Sequence, residues 1–528
     1  MGELYKQGLN RNQQLLFPPS IDDYVDKNNN VRAIDAYVEI LDLTQLQFTN
    51  TRKSNRADGQ KAYSPKVLLK VYIYGYLNKI RSSRALEKEC KRNLELIWLT
   101  QNLTPSYHTI ADFRKNNPKA LKQVFKEFVI LCKNINLIDG KLTAVDGAYL
   151  RANASKNQLI MKSTLTKDLK KITIDIEEYF QKLDYSDQEK QALNLLSKLP
   201  KDLRKLKHQQ QDISENLKLL ESMDKAQYNR TDPDASLMKK PAHNLMAYNS
   251  QIVVDSTYKF IVATDIFSQA IDTNKLYVMA TQTKEILELN NLDITADKGY
   301  DSAMEIKKCI DNNINPIVPR SKKEHPNKDK FARDKFIYDK EQDCYICPNN
   351  QRLIKSSTVQ NKKGKINFLY RGESAECKIC SLKYRCIPEK TSNKRIFRWE
   401  HEEVMEKHIE KMKTQAAKDI VKKRGSIVEH PFGTIKRTLG WDHFLLRGKD
   451  KVSGENALIM FTYNFKRLLN LIGITLFQKL LIAIKENNIE DIKEEIAQYI
   501  ADSLLYRLYF LRNEFMFEFG SKKCIIVK

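Results

Sequence analysis

The chain predicts a mixed α/β protein preceded by a helical region, and three observations carry that expectation. Short β-branched runs end in a carboxylate with glycine close behind, at Ala144-Val145-Asp146-Gly147 and at Ile294-Thr295-Ala296-Asp297-Lys298-Gly299. Such runs read as strands closed by turns. The segment NSQIVVDSTYKFIVATD, residues 249–265, has two Val/Ile-rich stretches around Ser256-Thr257 and reads as an antiparallel hairpin. Before and between these lie stretches with apolar residues at helical spacing. At 528 residues the chain has room for two to four domains whose cores need no disulfides.

The elements follow in order. Ser64 can cap a helix that Pro65 starts, with an apolar face from Val67 to Leu77. A second helix is expected after Ser82 and Ser83, running through Leu86 to about Leu99. Thr104-Pro105-Ser106 makes a turn and cap before YHTIADFRK, a short helix bearing Arg114 and Lys115. A basic helix after a tight turn suits a reader of a DNA groove, and equally a plain helical bundle. A helix from Lys119 to about Asn134 closes this region.

At Lys141 the period changes. LTAVDGAYLRANAS predicts a strand ending near Asp146, with Gly147 allowing a sharp exit and close backbone approach. Residues 160–225 carry Leu165, Leu169, Ile172, Ile176 and Leu183, then Leu195, Leu199, Leu203 and Leu206, which predicts a helical hairpin inserted between strands. A helix from Thr273 to Leu287 precedes LDITADKGYDS, a strand stopping at Asp297, followed by a helix from Met304 to Ile310 and a strand at NPIVP. Leu468–Ile484 is the most apolar run, interrupted by Asn470, Gln478 and Lys479, and reads as a core helix rather than a membrane span. The expected division is a helical domain over 1–138, an α/β core over 139–475 with insertions at about 158–228 and 325–400, and a helical tail over 476–528.

The net charge of +24 points to a polyanionic partner, nucleic acid first. The first twenty residues lack a basic start followed by an apolar run, so a cytoplasmic protein without membrane attachment is expected. In a reducing compartment nine cysteines argue for thiols or metal rather than disulfides. Cys344-x-x-Cys347 and Cys377-x-x-Cys380, with Cys386 beyond, have the pairing of a tetrahedral Zn²⁺ site; reduced structural thiols are the alternative.

One further stretch, RGSIVEHPFGTIKRTLGW from Arg424 to Trp441, sets Glu429 among Arg424, Lys436 and Arg437. On a helix Glu429 and Lys436 are about two turns apart and point the same way. The alternative is a Ser426/Glu429 capping box, which Pro431 weakens. Asp146, Asp297 and Glu429 arriving from separate elements are what chemistry with hard divalent cations requires. Spacing alone does not select them over Asp255, Asp265, Asp272 or Asp301.

The stretches TAVDGAYLRANASK, AYNSQIVVD, TADKGYDS and IVEHPFGTIKRTLGW resemble the successive signature blocks of bacterial insertion-sequence transposases, which carry a DDE triad on a ribonuclease-H-like core. SPKVLLKVYIYGYL through SYHTIADFRK is similar to the helical DNA-binding domain that precedes this core in one large group of them. The resemblance covers roughly residues 15–470, in the family's order. It implies Asp146, Asp297 and Glu429 as ligands of Mg²⁺ or Mn²⁺, and Lys436 on a DNA phosphate near the cut. Arg424, Arg437, Arg114 and Lys115 are the other expected DNA contacts. A tyrosine that often precedes the glutamate has no counterpart, since Val421 stands there. The implied activity is cleavage at terminal inverted repeats and joining of the freed 3′-OH to target DNA, with a homodimer in the synaptic complex. The rival readings are a nuclease without strand transfer and a domesticated, non-catalytic DNA-binding regulator.

Overall fold

The computed structural model describes residues 20–49, 62–188, 199–239, 244–320, 330–360 and 364–503. The expectations at Leu195 and for the tail beyond 503 lie outside the described residues. Helices open the chain: α1 (Asn30–Ile40), α2 (Pro65–Leu77), α3 (Ser83–Arg92), α4 (Leu94–Thr100), α5 (Tyr107–Asn116) and α6 (Pro118–Asn134). Strands β1 (Thr143–Arg151) and β2 (Leu159–Met161) lead into the long helices α7 (Lys162–Gln188) and α8 (Leu199–Ser222). After these come β3 (Gln227–Asn229), β4 (Ser236–Lys239), β5 (Asn244–Asp255) and β6 (Ile261–Phe267). Then α9 (Leu276–Ile286), β7 (Leu292–Thr295), α10 (Ala303–Asp311) and β8 (Ile314–Ile317) alternate. A run of β9 (Ile337–Asp339), β10 (Cys344–Ile346), β11 (Arg352–Gln360) and β12 (Ile366–Gly372) is followed by α11 (Ser374–Ile379), α12 (Lys383–Cys386) and β13 (Arg395–Trp399). Last are α13 (Glu402–Lys413), α14 (Gln415–Gly433), a π-helical turn at Thr434–Thr438, and α15 (Lys449–Lys485).

The chain divides into two compact units, one within 1–139, 147–270 and 429–528, the other over 140–146 and 271–428. This division cuts the chain differently from the expected one, because the helical N-terminal region groups with α15. In the first unit α15 is buried at every residue from Val452 to Phe465. Phe461 packs on Phe128 of α6 with ring centroids 5.1 Å apart and on Tyr37 of α1 at 5.5 Å. The segment is long and apolar enough to cross a membrane, but Gly473, at a φ of 74°, breaks it, and its part from Val452 to Phe465 is buried on every side, as in a core helix. Its Asn464 accepts from Ile261 N at 2.9 Å and donates to Ile261 O at 2.8 Å, so one side chain satisfies both main-chain groups at the start of β6.

Local chemistry explains the boundaries. Ser64 accepts from Lys66 N and Ser106 from Thr109 N, capping α2 and α5. The single helix expected from Ser83 to Leu99 is two, because Asn93 accepts from Glu95 N and starts α4 afresh. In the first unit β5 pairs antiparallel with β4 and β6, and β2 pairs with β3 at the foot of α7 and α8, which pack side by side.

β1 is common to both units. In the second, Thr143 and Ala144 pair in parallel with Ile294 and Thr295 of β7, and β7 pairs in parallel with β8 through α10. The resulting mixed sheet has the order β4-β5-β1-β7-β8, with β6 on β5. β1 does not end at Asp146: it runs on to Arg151, and Ala152 N donates to Met246 O of β5. Gly147 therefore makes no sharp exit, but its close approach is real. A Cβ there would lie 2.9 Å from Asn249 Oδ1 and would collide with the Gln251 amide. The second unit also holds a separate antiparallel sheet, β13-β12-β11-β10-β9.

Candidate active site

Register places the two aspartates. Ala144 is level with Thr295, and β1 and β7 are parallel. Asp146 and Asp297 each stand two residues farther on, at the same level of neighbouring strands and on the face that Ala144 and Thr295 share, since side chains repeat every second residue. Both aspartates therefore stand just beyond the last β1–β7 pair, Asp146 within β1 and Asp297 past the end of β7. β7 stops at Thr295, and Asp297, still in extended backbone, turns Oδ1 to accept from Gly299 N at 2.7 Å.

Three of the four other acids with a competing claim in the sequence have partners of their own. Asp301 pairs with Arg320 at 3.2 Å, Asp255 is buried and accepts from Thr257 N, and Asp265 accepts from Ile266 N. Asp146 has a cation beside it: Arg424 Nη1 of α14 lies 3.6 Å from Asp146 Oδ2. That nitrogen is buried and makes no hydrogen bond. Arg424 is thus spoken for by Asp146, in place of the expected exposure to DNA.

Ser426 and Glu429 lie inside α14, where Ser426 donates to Lys423 O, so they form no capping box. Glu429 is exposed, one residue past the boundary between the units. Pro431 sits within the helix, which then widens into the π-helical turn carrying Lys436 and Arg437. A proline removes a main-chain donor, and a wider turn is one way a helix accommodates the loss. Lys436 Nζ sits over the Phe432 ring at 5.5 Å, half-buried, while Arg437 is exposed. His430 bonds the Tyr463 hydroxyl at 3.0 Å; burial, then Arg467 and Lys259, hold its pKa below the usual value. Among the described residues no group of three or more His, Cys, Asp or Glu stands close enough to hold a metal ion.

The expected DNA contacts at α5 divide. Arg114 is 5 % exposed, donates to the Tyr76 hydroxyl at 3.0 Å, and pairs with the fully buried Glu455 at 3.6 Å. It is a core cation, not a groove contact. Lys115 is exposed beside Asp112.

A family profile described as transposase DDE domain matches residues 346–469, and one described as transposase domain (DUF772) matches residues 19–116. Both profiles are of transposase domains, and they match separate stretches of the chain. No curated protein sequence matches it. Among solved structures it is similar to a piggyBac transposase in a synaptic complex with hairpin DNA, at 10% identity and a TM-score of 0.27, over 90% of this chain and 80% of that one. That likeness is too low to bear on the fold.

The match to the transposase DDE domain takes in Glu429, Lys436 and most of the cysteine-bearing sheet. Cys344 is buried in β10 and lies away from the other expected thiols. Cys347, Cys377 and Cys380 line one cavity, and the fourth sulphur there belongs to Cys386. The cavity thus brings Cys386, and not Cys344, to the other three cysteines of the paired C-x-x-C motifs. Cys344 and Cys347 are an odd number of positions apart, which along a strand means opposite faces. Also missed were Asn249 and Gln251, fully buried in β5 against Gly147; their signal was a polar N-S-Q run inside an otherwise apolar strand.

Proposed function

We propose that this chain is a DDE transposase, encoded by an insertion sequence that it moves through two phosphoryl transfers on duplex DNA, on a ribonuclease-H-like core. The reading is supported by the parallel register of β1 on β7, which sets Asp146 and Asp297 each two residues past the last paired residues. In the first transfer a water oxygen adds to phosphorus and the bond to the 3′ oxygen breaks, leaving a 3′-OH and a 5′-phosphate. In the second, that 3′-OH attacks a phosphate of target DNA and displaces its 3′ oxygen. Neither transfer needs a covalent bond to the protein.

Asp146, Asp297 and Glu429 are the residues that would hold Mg²⁺ or Mn²⁺, which would supply activation of the attacking oxygen and charge neutralisation at phosphorus. The donor set fits a hard cation, being all carboxylate oxygen, and Asp146 already attracts the Arg424 cation. Lys436 acts as a point charge on a phosphate beside the scissile bond, and Phe432 beneath it limits where its ammonium goes. The net charge of +24 serves binding of terminal inverted repeats and target DNA, with two copies of the chain holding the two ends.

The test is Asp297→Asn and Glu429→Gln in the full chain, each assayed for Mn²⁺ binding, DNA binding and strand cleavage. Metal affinity and cleavage should fall together, cleavage by several kcal/mol of transition-state stabilisation, roughly a thousandfold or more, while DNA binding stays near wild type. Cleavage retained by both variants would place the chemistry elsewhere.

A further inference from the structure

We propose that Cys347, Cys377, Cys380 and Cys386 form a structural zinc site that closes the antiparallel sheet of the second unit. The need for one follows from the size of that sheet. Its core is Phe336, Tyr345, Leu353, Tyr370 and Ile396, with Cys347 and Cys386 packed against it. A core so small supplies little stability, and modules of this size are commonly held by disulfides or a metal. The thiols here are free, with no disulfide among the described residues.

The four sulphurs come from three places. Cys347 follows β10 at the turn into β11, Cys377 and Cys380 lie on and just after α11, and Cys386 ends α12. All four line one cavity of about 30 Å³, room for a single ion-sized body. Two details of the backbone favour thiolates there. Gln351 N donates to Cys347 Sγ at 3.3 Å, the kind of outer bond that orients a ligand and stabilises its charge. Gly372 leaves the space that Cys377 Sγ uses, since a Cβ at that position would lie 3.0 Å from the sulphur.

The sulphurs ring the cavity without converging on a point, in keeping with the lack of any group at metal-holding distance among the described residues. Neutral thiols have no attraction that would gather them. Deprotonated on Zn²⁺ they would close to about 2.3 Å from it, and four protein sulphurs with no open position make a structural, not catalytic, centre.

The experiment measures metal in the full-length protein purified without chelator, and in Cys386→Ser and Cys344→Ser. About one zinc per chain is expected in the wild type and in Cys344→Ser, with most of it lost in Cys386→Ser. In parallel, Co²⁺ should give the intense sulphur-to-metal absorption of a tetrahedral thiolate site. The wild type alone provides a second readout. Alkylation followed by peptide mapping should label Cys347, Cys377, Cys380 and Cys386 only after a chelator is added, while Cys344 stays unchanged. Absence of zinc, iron in its place, loss in Cys344→Ser with retention in Cys386→Ser, or equal labelling with and without chelator would each overturn the assignment.

Discussion

The second unit gathers ligand-type residues twice, and by different means. Asp146 and Asp297 are set by a hydrogen-bonded ladder: once Ala144 is paired with Thr295, both carboxylates are level and on one face. The cysteines of the antiparallel sheet are set by a turn and two short helices around a small core. In the first case the strand ends carry the information, and two motifs some 150 residues apart could be matched from sequence. In the second, spacing misled, because C-x-x-C says which cysteines are neighbours in the chain and not which side of a strand each occupies. A ladder transmits position over long sequence distances, whereas a turn transmits it over a few residues and only when its geometry is known.

The largest expected effect tests whether the ladder holds the two aspartates as one device. Asp146→Asn and Asp297→Asn should each reduce strand cleavage by roughly a thousandfold or more, and the double variant should be hardly worse than either, since residues acting as a unit are not additive. Cleavage rates of the two singles and the double, with DNA binding measured alongside, decide it; losses that simply multiply would mean the carboxylates act independently.

Next comes a pair of neighbours on α5 that the fold treats differently. Arg114→Ala should lower unfolding stability by about 3–5 kcal/mol, because it strands the buried Glu455 carboxylate, which otherwise keeps only the Leu445 and Leu446 amides. Lys115→Ala should stay within about 0.5 kcal/mol. Denaturant titration of the two variants compares them directly, and equal stabilities would refute the assignment of Arg114 to the core.

The smallest effect concerns how the parallel strands are backed. His408 of α13 is buried with Nε2 3.0 Å from Val318 O, just past β8; burial holds its pKa below the usual value, against the carbonyl, and Lys411 and Arg320 add to the lowering. The Val318 carbonyl places the proton on Nε2, leaving Nδ1 bare and without a hydrogen-bond partner. Because the unfolded imidazole takes up a proton near pH 6.5 and the folded one resists, the unfolded state binds more protons just below that pH. Its contribution is complete above about pH 6.5 and declines as the pH falls through the lowered value. Thermal melts from pH 7.5 to 5.0 should show this decline, and His408→Gln should flatten it.

Much of the α/β character was legible. The β-branched runs, the hairpin around Ser256 and the caps at Ser64 and Ser106 rest on local chemistry that acts the same way in any context. What escaped depended on partners remote in sequence. β1 outlasts Asp146 because β5 is there to continue it, and nothing within LTAVDGAYLR reveals that. Arg114 looked like a surface cation because Glu455 is 341 residues away. Asn93 is the exception, a local cap that could have been read. At the site, Asp146, Asp297 and Glu429 were singled out by the resemblance of the blocks around them and not by spacing, while the Arg424 contact to Asp146 needed the helix and strand to be placed in space.

Asn464 has a consequence beyond holding β6. An unpaired strand margin is a template on which another chain can add its own strand, the usual beginning of unwanted association. By occupying both the N–H and the C=O of Ile261, the Asn464 carboxamide imitates a neighbouring backbone and leaves nothing at that position for a newcomer to bond. A single amide thus works as a stopper on the margin of the sheet, and it is carried by the helix that forms the core. Loosening of that helix would uncover the margin in the same motion, so folding and protection against aggregation rise and fall together at this point.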